Sequence, residues 1–516
     1  MSVQPMTPAP MTPAPMTPAS TTPPLAHEAR RTVPEFVLSG DRRMWIGGSW
    51  VTARSGQTLP NTDPTTEQPL ATVPRGGTAD VDAAVQAARK AFTAPSWAEM
   101  TPDRRGRVLL QIADVIERHA EELATIDSVN MGAPRTITTR MLAEASETFR
   151  YYAGWPTKLF GTSVPTPGNR LAYTRKEPLG VVGVIWGWNG PMGQLPGKLA
   201  PALAAGNAVV LKPAETASLS TLRLAELLAG TDLPPGVVNV VTGRGDEAGE
   251  ALVTHPDVDK IAFTGSTATG KHVQRAATES LKRVTLELGG KSPAVVFADA
   301  DLPLAARGVA AGFLGNAGQA CVSTTRIFVH ETIREEFTGL LEQAMTTVFT
   351  PADALSAGTV VGPLSTAAQF DRVRSYLDLA VREGANVVTG GTRYGDHGYF
   401  IAPTLLDGVD PAMRVVREEI FGPVGALMTF TDVADAIAKA NDTEYGLAAS
   451  IWTTNLTTAH RMAAGVQAGT VWVNTWGEMS TGNLPFGGYK QSGVGREGGL
   501  EVLDAYTQSK AVVVAL

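Results

Sequence analysis

Hydrophobic and polar positions change their rhythm twice along the chain. Between residues 79 and 129 apolar side chains recur every three or four positions, the spacing of helices with one buried face. ADVDAAVQAARKAFT, Ala79 to Thr93, reads as one such helix. Thr101 to Val129 reads as a longer one, opened by TPDR, where Thr101 can cap and Pro102 takes the first helical position. Leu109, Ile112, Val115, Ile116 and His119 share its spacing, so His119 is expected as a packed helix residue and not a ligand. From Pro178 the rhythm becomes short apolar runs of the buried-strand type: LGVVGVIW, AVVLK, VVNVVTG and KIAFTG. Helices such as LAPALAAG and PAETASLSTLRLAELLAGT lie between them. Strands alternating with helices predict a parallel, doubly wound sheet covered on both faces. After about Gly290 the alternation resumes with PAVVF, a helix from Leu302 to Leu314, and RIFVH. A helix from Glu331 to Val348, then GANVVTGG, ADAIAKAND and WVN, continue a second α/β domain. The final AVVVAL is a terminal strand of the type that often pairs with another subunit. The folded body is expected to begin near Glu35, with FVLSG and RMWIGGSWV as its first strands.

Composition narrows the class. A hydrophobic fraction of 43% and a charged fraction of 18% are those of a soluble globular protein. The net charge of −7 argues against a binder of nucleic acid or anionic membrane, which needs a basic field. No apolar run approaches the ~20 residues of a membrane span. One cysteine makes neither an internal disulfide nor a cysteine-rich metal site, and fits a reducing cytoplasm. Residues 6 to 20 read MTPAP MTPAP MTPAS, a repeat that cannot bury a core and is expected to be a solvated, disordered or polyproline-like tail. It lacks the basic and apolar regions of a secretory signal.

Four stretches are candidates for chemistry. Cys321 lies in GNAGQACVSTT, between a helix and a strand. A lone cysteine is most often a small buried hydrophobe, but Gly315, Ala317, Gly318 and Ala320 leave a ligand room to approach. No histidine lies near it except His330, in the following strand. In VTLELGGKSP, Glu287 is either a solvent-facing edge glutamate or a general base raised by desolvation. In KIAFTGSTATGKHV, Gly265 and Gly270 sit at a strand-turn-helix junction of the kind that admits a pyrophosphate, though the spacing is not the standard dinucleotide fingerprint. In VVLKPAE, Lys212 and Glu215 follow a strand end, as a surface ion pair or as nucleotide-binding residues.

Seven ordered motifs, IWGWNGP, LKPAE, FTGSTATG, LELGGKSP, GNAGQAC, EEIFGPV and PFGGYKQSGVGRE, resemble those of the NAD(P)-dependent aldehyde dehydrogenases from about Met44 to the C-terminus. By that resemblance Cys321 is the nucleophile that captures the aldehyde as a thiohemiacetal. The Asn189 amide and the Cys321 backbone N–H hold the oxyanion. Hydride transfer to NAD leaves a thioester, and Glu287 activates the water that releases the acid, with Lys198 assisting proton movement. Lys212 and Glu215 hold the adenosine ribose, and a carboxylate there favours NAD over NADP. Gly265, Ser266 and Gly270 belong to the pyrophosphate turn. Ile185, Trp188, Leu288 and Gly289 border the cofactor. Glu419 and Phe421 position the nicotinamide ribose and ring.

The same resemblance implies an α/β protein of two doubly wound parallel-sheet domains with a small β oligomerisation element. A tail, 1–34, precedes an NAD-binding domain made of 35–159 and 179–289. A catalytic domain, 290–504, follows. The oligomerisation element comprises 160–178, a hairpin from about Phe160 to Glu177, and 505–516. A homodimer or homotetramer is expected. One departure concerns the substrate: Gly190 and Gly197 stand where relatives carry large aromatic side chains, so the tunnel is expected to be wide and to take a bulky, branched or aromatic aldehyde. Trp476 in NTWGEM is a core or surface tryptophan, a tunnel filler, or part of a cage for a cationic substrate. A CoA-acylating dehydrogenase and a betaine or amino-aldehyde enzyme are the alternatives, and Glu287 argues against the first. A fold kept without catalysis is countered by the presence of Cys321, Glu287 and Asn189 together.

Overall fold

Two mostly parallel sheets, joined through residues 288–292, organise the chain in a computed structural model that describes residues 32–39, 42–478 and 482–516. The MTPAP repeat lies outside these residues. In the eight-stranded sheet the strand Val181–Trp186 pairs in parallel with Ala208–Pro213, which pairs with Val238–Val240. On its other side Val181–Trp186 pairs with Lys260–Thr264, and that strand with Arg283–Glu287. Strand order therefore reverses between Val181–Trp186 and Lys260–Thr264. A crevice opens at the carboxyl ends of strands at such a point, the place where open α/β sheets bind ligands. Every residue of Val181–Trp186 and Ala208–Pro213 is buried, which is why these strands read as unbroken apolar runs.

The seven-stranded sheet runs in the order Asn386–Thr389, Thr404–Asp407, Val424–Phe430, Arg326–His330, Pro293–Val296, Ala448–Trp452 and Thr470–Val473. All its pairs are parallel except the first. The strand Gly493–Val494, expected within the second unit, pairs instead with Arg283–Glu287 and returns the chain to the first sheet.

Helices Pro102–Arg118, Arg135–Ala153 and Pro191–Ala205 pack together beside the first sheet. Leu109, Ile112 and Ile116 are fully buried there. Truncating any of them to alanine would cost about 2–5 kcal/mol.

Two local expectations are corrected. FVLSG is not a strand: Glu35–Leu38 forms a single helical turn behind Pro34, whose φ of −56° starts the turn, and Val37 is buried. The helix expected over Thr101–Val129 is two, Pro102–Arg118 and Ala120–Met131, broken at His119 (φ −108°, ψ 15°). Apolar spacing survives a one-residue break, so periodicity alone does not reveal it. His119 is half-buried, with Nδ1 3.3 Å from Glu122 Oε2. Within the chain the terminal strand Thr507–Ala515 pairs antiparallel with Arg170–Pro178, from Thr507↔Pro178 to Ala515↔Arg170, and forms the edge of its sheet. Arg170–Pro178 supplies a free edge of matching length, and the short strand Ser163–Val164 completes a three-stranded sheet.

Candidate active site

Cys321 follows the helix Leu302–Leu314 in a turn whose backbone is unusual. Asn316, Ala317 and Gly318 all adopt left-handed conformations, with φ of 52°, 54° and 71°. Non-glycine residues rarely do so without support from their surroundings. Here the support is a set of hydrogen bonds: Gln319 Nε2 donates to Asn316 O (3.0 Å), and Ser365 N donates to Gln319 Oε1 (2.8 Å). At Gly318 a side chain would collide with the carbonyl oxygen of Gly422, so glycine is required there. Cys321 itself is half-buried in the wall of a cavity of about 320 Å³. Burial pushes its thiol up to about 12, and the carboxylates of Glu419 and Glu287 add to the rise. Hydrogen bonds from the backbone N–H groups of Cys321 and Val322 act the other way.

Glu287 ends its strand on the same cavity. It is not a solvent-facing edge residue: it is 3% exposed, and neither carboxylate oxygen has a hydrogen-bond partner among the described residues. Burial raises its pKa well above the usual carboxylate range, and the nearby Glu497 carboxylate raises it further. Lys198 and Arg496 pull it down. Lys198 projects from the helix Pro191–Ala205, is wholly buried, and is ion-paired to Glu497. Glu497 lines the cavity. Sequence reasoning did not single it out: a glutamate after a glycine-rich run reads as a loop charge, and only its burial beside Lys198 separates it from one.

Asn189 lines the same cavity just before the helix Pro191–Ala205. Its side-chain amide is fixed at both ends. Nδ2 donates to Gln319 O (2.9 Å), and Oδ1 accepts from Gln194 Nε2 (2.7 Å). The first bond ties the amide directly to the Cys321 turn and leaves one N–H of the amide unspent. Gln194 was not foreseen, since a glutamine in a helix carries no signal of its own. The opposite cavity wall comes from the helix Arg135–Ala153, including Met141, with Phe486 and Trp476 closing the sides. Trp476 is a cavity residue, with Nε1 donating to Val322 O (3.3 Å). An added Cβ at Gly190 would lie 3.3 Å from Met141 Cε, so the methionine occupies part of the room the glycine leaves.

A second group of side chains gathers at the carboxyl ends of the first sheet. Lys212 is the penultimate residue of the strand Ala208–Pro213, with Nζ 3.2 Å from Glu215 Oε2. Burial lowers the Lys212 pKa, and Glu215 opposes this. Ile185 is buried near the end of Val181–Trp186. Gly265 N donates to Glu287 O (3.1 Å), and Ser266 Oγ caps the helix Thr267–Ala277 by accepting from Thr269 N (3.2 Å). Gly270 lies one turn into that helix, against the side chain of the buried Leu288. Its missing Cβ serves helix–strand packing. Trp188 and Phe421 meet edge to face, 5.4 Å between centroids. Phe421 is left-handed (φ 63°), and its carbonyl accepts from Gln369 Nε2 at 2.7 Å. Glu419 fills the space beside Gly289, where a side chain would strike its carboxylate, and accepts from Gly290 N at 3.0 Å. Burial brings its pKa up to about 7.

A thiol, a buried carboxyl and an amide thus share one cavity, next to a crevice at the switch point of a parallel sheet. The model of the aldehyde dehydrogenase family matches residues 50–512. DhaS of Bacillus subtilis, a putative aldehyde dehydrogenase, is 44% identical over 483 residues, 93% of this chain and 97% of its own length. An aldehyde dehydrogenase of Bacillus cereus, solved as its NAD+ complex, superposes with a TM-score of 0.91 at 43% identity, over 96% of this chain and all of that one (100%). AldA of P. syringae, an indole-3-acetaldehyde dehydrogenase solved with NAD+ and IAA, superposes with a TM-score of 0.89 at 39% identity, over 92% of this chain and 96% of its own. The chain belongs to the aldehyde dehydrogenase family and is an enzyme of that class.

Proposed function

We propose that this enzyme oxidises a bulky or aromatic aldehyde to its carboxylic acid with NAD, through a covalent intermediate on Cys321. The observation that carries the reading is the common cavity of Cys321, Asn189 and Glu287, with the Glu287 carboxyl buried and unpartnered. Cys321 Sγ adds to the aldehyde carbon, and its proton passes to a base. The oxyanion so formed is held by the spare N–H of the Asn189 amide and the Cys321 backbone N–H. NAD held in the crevice would supply the hydride acceptor, so that the carbon bound to Cys321 would be left as a thioester once its hydride had departed. Glu287 then accepts a proton from the water that attacks the thioester, and the acid departs. Desolvation makes Glu287 a stronger base than an exposed glutamate, as this step requires. Lys198 and Glu497 stand behind it as the next groups in the proton's path.

The crevice fits a dinucleotide. Glu215, half-buried at a strand end, can accept from both ribose hydroxyls and would repel a 2′-phosphate, which favours NAD over NADP. Glu419 and Phe421 face the ribose and ring of the nicotinamide. Ile185, Trp188, Leu288 and Gly289 border the cofactor, and Lys212, Gly265, Ser266 and Gly270 complete its site. For the substrate, the glycines at 190 and 197, the aromatic walls Trp476 and Phe486 and the likeness to an indole-3-acetaldehyde dehydrogenase all favour a large ring. The enzyme acts as a homodimer or homotetramer in the cytoplasm. The sheet ending in Thr507–Ala515, with Val513 exposed, is the surface for assembly.

A screen of NADH formation across aliphatic, aromatic and amino aldehydes tests the reading. The highest kcat/KM is expected for aromatic or branched aldehydes, with free acid as product. A strong preference for acetaldehyde would overturn the substrate class. Cys321→Ala is expected to abolish turnover while NAD still binds. Light scattering on the eluting protein tests assembly, and a monomer would refute it.

A further inference from the structure

Gly190, just before the helix Pro191–Ala205, and Gly193 and Gly197 within it all line the cavity that holds Cys321. Gly193 and Gly197 stand one helical turn apart on the same face. The room left by the first two is taken. A Cβ at Gly190 would meet Met141 Cε at 3.3 Å, and one at Gly193 would meet Met141 Cγ and Sδ, each at 3.2 Å. The room at Gly197 is open. Beyond its own helical turn and chain neighbours, a single atom of the described residues lies within 4 Å of its would-be Cβ: Glu497 Oε2, at 3.6 Å. The missing side chain therefore uncovers one carboxylate oxygen in the wall of the cavity.

Glu497 spends its other oxygen, Oε1, on Lys198. Oε2 accepts no hydrogen bond among the described residues, and the side chain keeps 13% of its surface open. Other polar atoms of the wall are committed or closed off. The Asn189 amide is held by Gln319 and Gln194. The Thr148 hydroxyl donates to Glu144 O at 2.8 Å, and the Tyr152 hydroxyl to Gly499 O at 2.9 Å. Thr264 Oγ1 and Gln194 Oε1 lack partners but are shut away from open space. Charge then decides what Oε2 can receive. Lys198 already balances Glu497, so an ammonium would bring a second cation to one carboxylate, and an anion would be repelled. A neutral hydroxyl adds no charge, and a carboxylate is a strong acceptor for it.

We propose that Glu497 Oε2, uncovered by Gly197, determines specificity in the cavity, and that the preferred substrate is a ring-bearing aldehyde with a neutral hydroxyl that donates to it. This deepens the proposed function and rests on its assignment of the cavity to the aldehyde. A substrate that is apolar at this point strips the oxygen of water and returns nothing, whereas a hydroxyl replaces the lost bond. A site built to receive a hydroxyl rejects the analogue without one far more strongly than an apolar pocket rejects an extra methylene.

The test uses the full-length enzyme with NAD and pairs of aldehydes of matched shape. The ortho, meta and para hydroxymethylbenzaldehydes are each compared with the corresponding ethylbenzaldehyde. At one ring position kcat/KM is expected to favour the hydroxyl compound by about 10–100-fold, the worth of one hydrogen bond to a charged acceptor. Carboxybenzaldehydes are expected to fall below both. Gly197→Leu covers Oε2, and the ratio is expected to drop toward one. Crowding alone slows both members of a pair alike and leaves the ratio unmoved. Gly197 has ordinary helical backbone, which accepts a side chain, and Gly197→Ala serves if the leucine variant does not fold or turn over. A lower ratio in it supports the proposal. A ratio near one at all three positions of the parent overturns the proposal, as does a ratio that the Gly197 variants leave unchanged. If the ethylbenzaldehydes are good substrates and the ratio is one, this proposal fails alone. If acetaldehyde is oxidised and no benzaldehyde is, the underlying substrate class fails and takes this proposal with it.

Discussion

Lys198, wholly buried, is ion-paired to Glu497 in the cavity wall, joining the helix that follows Asn189 to the loop that follows Gly493–Val494. Breaking one side of such a pair strands a charge in the interior. Glu497→Gln is expected to destabilise the protein by about 3–5 kcal/mol. Replacing both sides, Lys198→Met with Glu497→Leu, should recover most of that loss while leaving hydrolysis impaired. Thermal denaturation of the three variants checks this. A double variant no more stable than the single one would count against the pair.

Asn189 is predicted to matter to rate far more than to binding. Asn189→Ala should lower kcat by about 10²–10³-fold, the usual effect of losing one oxyanion donor, with little change in KM. Gln194→Leu frees the amide to rotate by removing its bond to Oδ1, and should give a smaller loss of the same kind. Steady-state kinetics with one good substrate distinguishes them. Equal kcat in Asn189→Ala and the parent would remove Asn189 from the mechanism.

Asp127 lends itself to a pH experiment. It is buried, accepts from Met192 N at 3.2 Å, and has Ser220 close enough to favour its charged form. Burial raises it from 3.8 to about 7. A carboxyl raised on folding stabilises the fold while protonated. That contribution is complete below about 3.8 and is lost as pH climbs through about 7. Asp127→Asn should therefore unfold like the parent near pH 4 and be the more stable near pH 8, by a gap approaching ~4 kcal/mol. Thermal midpoints measured across pH check it, and a gap independent of pH would contradict it.

Gly318 is expected to tolerate nothing larger. Gly318→Ala adds strain at φ 71° and drives a methyl into the Gly422 carbonyl. We expect a loss of about 2–4 kcal/mol and a greater loss of activity, since the turn carries Cys321. Thiol labelling against melting temperature separates the two effects. Wild-type activity in this variant would mean that the turn has another way to close.

Gly190 and Met141 should behave as a pair. Gly190→Phe has to displace Met141, 3.3 Å from the glycine's would-be Cβ, and should shift kcat/KM from aromatic aldehydes toward small aliphatic ones. Met141→Ala in that background should restore part of the original preference. Additive effects in the double-variant cycle would show that the two do not share the space.

Much of this fold is legible in the chain because its strands are buried on both faces. LGVVGVIW and AVVLK can be little else than inner strands of a parallel sheet. The motif residues were legible too, since Cys321 and Glu287 stand out against apolar or small neighbours. What could not be read were relationships across sequence. Glu497 acquires meaning only beside Lys198, and Asp127 sits in a helix that is buried along most of its length, with no polar face to mark it out. The glycines around Cys321 looked like room for a ligand. Gly318 proves to be needed for an approach between two backbones, which no local pattern announces. The break at His119 escaped for the opposite reason, because a one-residue kink leaves the apolar spacing intact.

The passage from the first sheet to the second, residues 288–292, is itself a wall of the site. Glu287 stands at one end, Gly290 donates to Glu419, and a side chain at Gly290 would strike the carbonyl of Cys321. This first covalent joint between the two sheets is therefore no hinge. Cutting the gene there would separate Glu287 from Cys321, and lengthening the joint by even one residue would put the two out of register. Fragment complementation, domain exchange between relatives and loop insertion should succeed at the chain's surface and fail here. The two sheets are in this sense one heritable unit, whose parts can diverge only together.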